Sequence, residues 1–123
     1  MDQEQFVNAV KEVVRDSSID GLVQILENPP GRSPDRKLIE LSSWYTKLDA
    51  DQQLHVKGVI EMAVNTGIFG LLCVIDGVRA VEKSSDSIDG AFKLSFIHGK
   101  EESILNDLEA DYLHDLYNSR FFN

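Results

Sequence analysis

Four polar residues near the end of the chain are spaced for joint chemistry if their segment is helical. Asp107, Asp111, His114 and Asp115 stand at i, i+4, i+7 and i+8, which a helix gathers on one face. Three carboxylates and an imidazole are a donor set for a divalent metal, and the same groups can serve as a general base. The plainer reading is the solvated face of an amphipathic helix, with acids favoured near its N-terminal dipole end. A second pair, Asp76 and Arg79, interrupts an otherwise apolar run. Charged groups in a core need partners. The pair is therefore expected to be a buried ion pair that fixes helix register, or the polar floor of a small pocket. The third candidate is the stretch from Pro29 to Lys37, where Arg32, Arg36 and Lys37 supply three of the twelve basic residues. It reads either as a rigid protrusion that docks an acidic partner or an anion, or as a well-made turn with solubilising charge.

Other chemical fingerprints are absent from the sequence. It has no phosphate-cradling glycine loop, no cysteine pair for zinc, no nucleophile elbow and no His-Glu-x-x-His helix. No cofactor is implied. His55 and His98 read as exposed, and Cys73, inside Leu71-Leu72-Cys73-Val74-Ile75, reads as a buried core thiol.

The elements that must position these residues are mostly helical by their hydrophobic spacing. Phe6, Val7, Val10, Val13 and Val14 predict one amphipathic helix, and Ile19, Leu22, Val23 and Leu26 a second that starts at Ser17 or Ser18. Asn28-Pro29-Pro30-Gly31 ends it. Ser33-Pro34 predicts an N-cap and first turn for a third helix, with Leu38, Leu41, Trp44, Tyr45 and Leu48 on its buried face. Asp49 and Gln52 form a capping-box pattern for a fourth, which runs to about Asn65-Thr66-Gly67. From Ile68 to Glu82 the chain is apolar nearly all round; a central helix is favoured there over a strand. Lys83 to Ser87 is a polar connector. Phe92, Leu94 and Phe96 alternate with polar residues, and His98-Gly99-Lys100-Glu101 can turn, which predicts a small antiparallel β-hairpin near residues 91–105. Asn106 or Asp107 then caps a final helix carrying Leu108, Tyr112, Leu113, Leu116 and Tyr117. The expected fold is α+β and predominantly helical: a bundle of about five to six helices with one hairpin, in a single domain.

Twelve basic against twenty-one acidic side chains give a net charge of −9, which disfavours nucleic acid and anionic membrane surfaces as partners. The N-terminus lacks a signal-peptide pattern. The longest strongly apolar stretch, Ile68 to Ile75, falls short of the roughly 20 residues of a membrane span. A cytoplasmic location is expected.

The run Phe69-Gly70-Leu71-Leu72-Cys73-Val74-Ile75-Asp76-Gly77-Val78-Arg79-Ala80-Val81-Glu82 resembles a small family of bacterial proteins of unassigned function. In that family a hairpin like Gly90-Ala91-Phe92-Lys93-Leu94 and a closing segment like Leu113-His114-Asp115-Leu116-Tyr117-Asn118 follow it. The likeness covers roughly the second half of the chain and implies a bacterial source, with no activity, cofactor or catalytic residue.

Together these features favour a non-enzymatic protein-binding module, of immunity or regulatory type, whose acidic surface meets a basic protein. A small metal-dependent or acid-base enzyme using the Asp107, Asp111, His114 and Asp115 face is the alternative. A structural homo-oligomer subunit is a third, with the closing Phe121 and Phe122 buried in a homodimer interface or docked on the body.

Overall fold

The computed structural model describes residues 1–81 and 90–122, the last of these by its backbone alone. Among them the chain forms four continuous helices and one two-stranded antiparallel sheet. The α+β, mostly helical expectation holds, whereas five to six separate helices do not form.

The first helix shows why. Asp2 and Gln5 close a capping box at its start, each side chain accepting from the other's backbone N–H at 2.8 Å. The chain is α-helical over Gln3–Ala9, passes through a π-helical stretch over Val10–Asp16, and is α-helical again over Ser17–Glu27. Ser17 does not begin a new helix: Asp16 and Ser17 both keep helical dihedrals, and the Ser17 hydroxyl donates back to the Glu12 carbonyl. The π stretch also resets the phase. Val7 and Ile19 are twelve residues apart, which on an α-helix would turn them about 120° from each other. A π turn accommodates one extra residue without advancing the face, so the offset falls to about 20°. Val7, Ile19 and Leu26 accordingly form one buried line. Val13 and Val14, expected inside, are exposed.

Asn28 ends this helix, and Gly31 turns the chain with a left-handed φ of 84°. The second helix, Arg36–Thr46, starts later than Ser33-Pro34 predicts; Asp35 occupies its N-cap without a side-chain bond. Its buried face is also shifted. Ser42 and Tyr45 are buried, while Leu41 and Trp44 are exposed. The Ser42 hydroxyl donates to the Leu26 carbonyl at 2.7 Å, an oxygen left without an intrahelical partner at the end of the first helix. This helix packs chiefly on the Ser17–Glu27 part of the first.

The Asp49–Gln52 capping box forms as expected, with both reciprocal bonds present. The third helix then runs unbroken over Ala50–Ile75, through Asn65-Thr66-Gly67. Helix is the right reading for Ile68 to Ile75, but it does not continue toward residue 82. Gly77 takes a left-handed φ of 80°, its N–H donates to the Val74 carbonyl, and the Val78 N–H donates to the Cys73 carbonyl. This is the Schellman arrangement that closes helices at glycine. Glu82 and the polar connector of Lys83 to Ser87 lie outside the described residues.

The hairpin pairs Ser95–His98 with Glu101–Ile104, in a register that sets Ser95 opposite Ile104 and His98 opposite Glu101. Residues 106–112 are not helical. Asp107 there accepts from the Glu109 N–H within a local turn, the competing use of an aspartate that also looks like a helix cap. The last helix begins only at Leu113, is α-helical over Leu113–Tyr117 and π-helical over Asn118–Phe122. Val7, Leu72, Leu113 and Tyr117 form the tightest core, flanked by Ile68, Phe69 and Phe121. Phe121 packs edge-on against Tyr117 at 5.3 Å, so it docks on the body; the side chain of Phe122 lies outside the described residues.

Candidate functional site

The late start of the last helix breaks up the first predicted cluster. Asp107 and Asp111 precede the helix, so they share no helical face with His114 and Asp115. Among the described residues, no group of three or more His, Cys, Asp and Glu side chains is placed to hold a metal ion.

The structure instead joins one member of that cluster to one member of the second. The Asp76 side chain is 1% exposed, and its Oδ2 lies 2.7 Å from His114 Nδ1. The same oxygen accepts the His114 backbone N–H at 2.9 Å. An ionised carboxylate has only acceptors, so Nδ1 carries the proton in this contact. The other ring nitrogen, Nε2, faces Asp115 Oδ1 at 3.3 Å. Tyr112 stacks on the imidazole and Phe69 meets it edge-on. Thus the ring is fixed by two carboxylates and two aromatic rings.

Asp76 ends the third helix, where the dipole disfavours negative charge. Its compensation comes from the start of the last helix. The N-cap there is Tyr112, which makes no side-chain capping bond. Asp76 supplies that bond from 38 residues away, so a remote carboxylate caps the helix and faces its positive end. The other oxygen, Asp76 Oδ1, is buried and has no hydrogen-bond partner among the described residues.

Arg79 takes no part in this pairing: among the described residues, no ion pair joins it to Asp76. The Arg79 guanidinium lies against the third helix, with Nη1 2.6 Å from where a Cβ on Gly70 would stand. A cavity of about 480 Å³ opens beside this corner, lined by Asp76, Arg79, Phe92 and Asn106 among others. Asn106 donates to the Ile75 and Phe92 carbonyls and accepts the Leu94 N–H. It clamps the base of the hairpin to the end of the helix. Cys73 is buried nearby, and burial pushes its thiol above the ordinary range; the Arg79 charge opposes this and Asp76 adds to it. Such a thiol is a poor nucleophile.

A second polar node lies about three turns earlier on the same helix. Asn65 Oδ1 accepts from Tyr117 Oη at 2.7 Å and from Arg15 Nε at 2.8 Å, and its amide donates to the Phe121 carbonyl. Burial raises the Tyr117 phenol above its ordinary range. Arg15 also bonds Asp16, whose carboxyl is held below the usual range, first by its hydrogen bond from Lys11 and further by Arg15. The sequence pattern at Asn65-Thr66-Gly67 predicts a helix end there, and the helix instead runs through it. The signal that Asn65 is something else is an amide in the middle of an apolar run, which is costly unless bonded.

The basic loop remains open to solvent. Arg32, Arg36 and Lys37 are exposed, and Arg36 meets Glu40 at 3.6 Å with both side chains largely in water, a contact of little energetic value.

The third helix differs from the sequence expectation in one more way. Its 26 residues are long and apolar enough to cross a membrane, by length and composition alone, whereas Ile68 to Ile75 taken alone is not. Leu54, Val59 and Met62 on it are 66–70% exposed. No family model, curated protein or solved structure matches the chain.

Proposed function

We propose that this chain is a non-catalytic interaction module that works through the apolar side of its third helix. The carrying observation is the exposure of Leu54, Val59 and Met62 along that helix. Single apolar residues on a surface are ordinary, but Val59 and Met62 are neighbours three residues apart on one side of the helix, and exposed apolar residues grouped in this way mark an interaction face. The polar groups favour the same reading. Asp76, His114, Asn65 and Asn106 are engaged in holding elements together, and among the described residues the imidazole nitrogens meet only the carboxylates of Asp76 and Asp115. The acidic remainder of the surface then steers and solubilises while the apolar face supplies the contact.

Affinity capture with wild-type and Met62→Glu bait, at low and high salt, tests this. The expected result is a stoichiometric species, whether another protein or an untagged copy of the chain, that wild type retains in salt and Met62→Glu loses. Release by salt alone would move the contact to the acidic surface and its basic partner. Capture by both baits alike would remove the third helix from the interaction.

A further inference from the structure

The cavity at the end of the third helix, about 480 Å³ in volume, is of the size that small-molecule sites have. Three large apolar side chains that line it, Val81, Phe92 and Leu108, are 53–73% exposed. They come from three separate stretches: the residues after the third helix, the approach to the hairpin and the segment that follows it. Asn106 ties two of these walls together, since its amide donates to the carbonyls of Ile75 and Phe92. Apolar side chains that converge on one opening and stay uncovered are the usual lining for the apolar body of a ligand.

Charge narrows the ligand. Among the described residues one cation lines the cavity, Arg79, and no hydrogen bond or ion pair engages its guanidinium there. This is unusual in a chain of net charge −9 with Asp76 three positions earlier. Asp76 is committed elsewhere, because its Oδ2 meets His114 Nδ1 and also accepts the His114 backbone N–H. The guanidinium is nonetheless placed. Its Nη1 lies 2.6 Å from where a Cβ on buried Gly70 would stand. Glycine weakens a helix interior relative to alanine, and here the space it frees holds the guanidinium. Such a group offers a planar fork of donors that fits a carboxylate in a bidentate pair. One cation matches one negative charge, whereas a phosphate dianion would lack a second.

We infer that this cavity binds a small monocarboxylate with an apolar body, its carboxylate on Arg79 and its body along Val81, Phe92 and Leu108. None of the exposed residues Leu54, Val59 and Met62 lines it. The site therefore stands or falls separately from the interaction face proposed above.

Titration of the full chain with acetate, butyrate and hexanoate, followed by the backbone amide signals in nuclear magnetic resonance, both locates and measures binding. Shifts are expected at Arg79, Val81, Ala91, Phe92 and Leu108, with affinity rising by up to about fourfold for each added methylene. Arg79→Gln is expected to weaken hexanoate by about tenfold or more, and the fold should persist because Arg79 is exposed. Gly70→Ala should also weaken it, by a smaller factor and with helical circular dichroism unchanged, since the added Cβ displaces only the end of a flexible side chain. Hexanoate bound equally by wild type and Arg79→Gln, or hexanol bound as well as hexanoate, would overturn the carboxylate contact. Acetate bound as well as hexanoate would overturn the apolar body. Shifts confined to Leu54, Val59 and Met62 would overturn the cavity and leave the interaction face standing. No shift at about 10 mM hexanoate, a concentration that reveals even millimolar affinity, would overturn the site outright.

Discussion

At one end of the third helix, Val7, Leu72, Leu113 and Tyr117 are almost wholly buried, and Asn65, Asp76 and Asn106 bond across to other elements. At the other end, the second helix rests on the first through Leu26, Tyr45 and the single bond from Ser42 to the Leu26 carbonyl. The long helix runs through both regions, but its partners hold it differently. Where several elements converge, short segments need polar clamps to fix their ends, because a ten-residue helix or a two-stranded hairpin has little stability of its own. Where the second helix lies along the Ser17–Glu27 part of the first, one apolar line and the Ser42 bond hold it. The same arrangement leaves the outer side of the long helix uncovered.

Substitutions can test this contrast. The largest effect is expected from Leu113→Ala, which empties a fully buried site in the tight core and should cost about 3–4 kcal/mol of unfolding free energy in urea. A loss below about 1 kcal/mol would show that this end is no tighter than the other. His114→Ala comes next. It leaves the buried Asp76 carboxylate with the backbone N–H alone, at a cost of about 2–3 kcal/mol, and chemical denaturation against wild type reads it. Leu113 and His114 are adjacent, so their double variant should not be additive. Ser42→Ala is expected to cost least, about 1 kcal/mol, and hydrogen exchange should place the loss in residues 36–46 without reaching the hairpin. Protection lost at the hairpin as well would mean that the two regions unfold as one unit.

Much of the fold is legible in short-range pattern. The capping box of Asp49 and Gln52, the turn at Gly99-Lys100 and the end of the first helix near Asn28 each depend on a few neighbouring residues, and each is found. The misreadings have physical causes of the same local kind. Asp107 has the chemistry of a cap but makes a turn instead. Gly77 ends a helix that hydrophobicity alone extends. The site is half legible. Asp76 and His114 both stand out as groups that need explaining, yet nothing local says that they are partners, since 38 residues separate them. The π-helical stretch has only an indirect signature, two apolar stripes that fit one helix after a shift in phase.

That stretch has a consequence for how the chain can change length. On a regular helix, an inserted or deleted residue rotates everything beyond it by about 100°. Between Val10 and Asp16 the added residue has already been absorbed into the wider turn, so losing one residue there would restore ordinary α-helical geometry while Val7 and Ile19 still faced the same way. What would be displaced is Arg15, and with it the bond to Asn65. Descendants of this sequence can thus shorten the first helix by one residue and keep its core, at the expense of one polar contact.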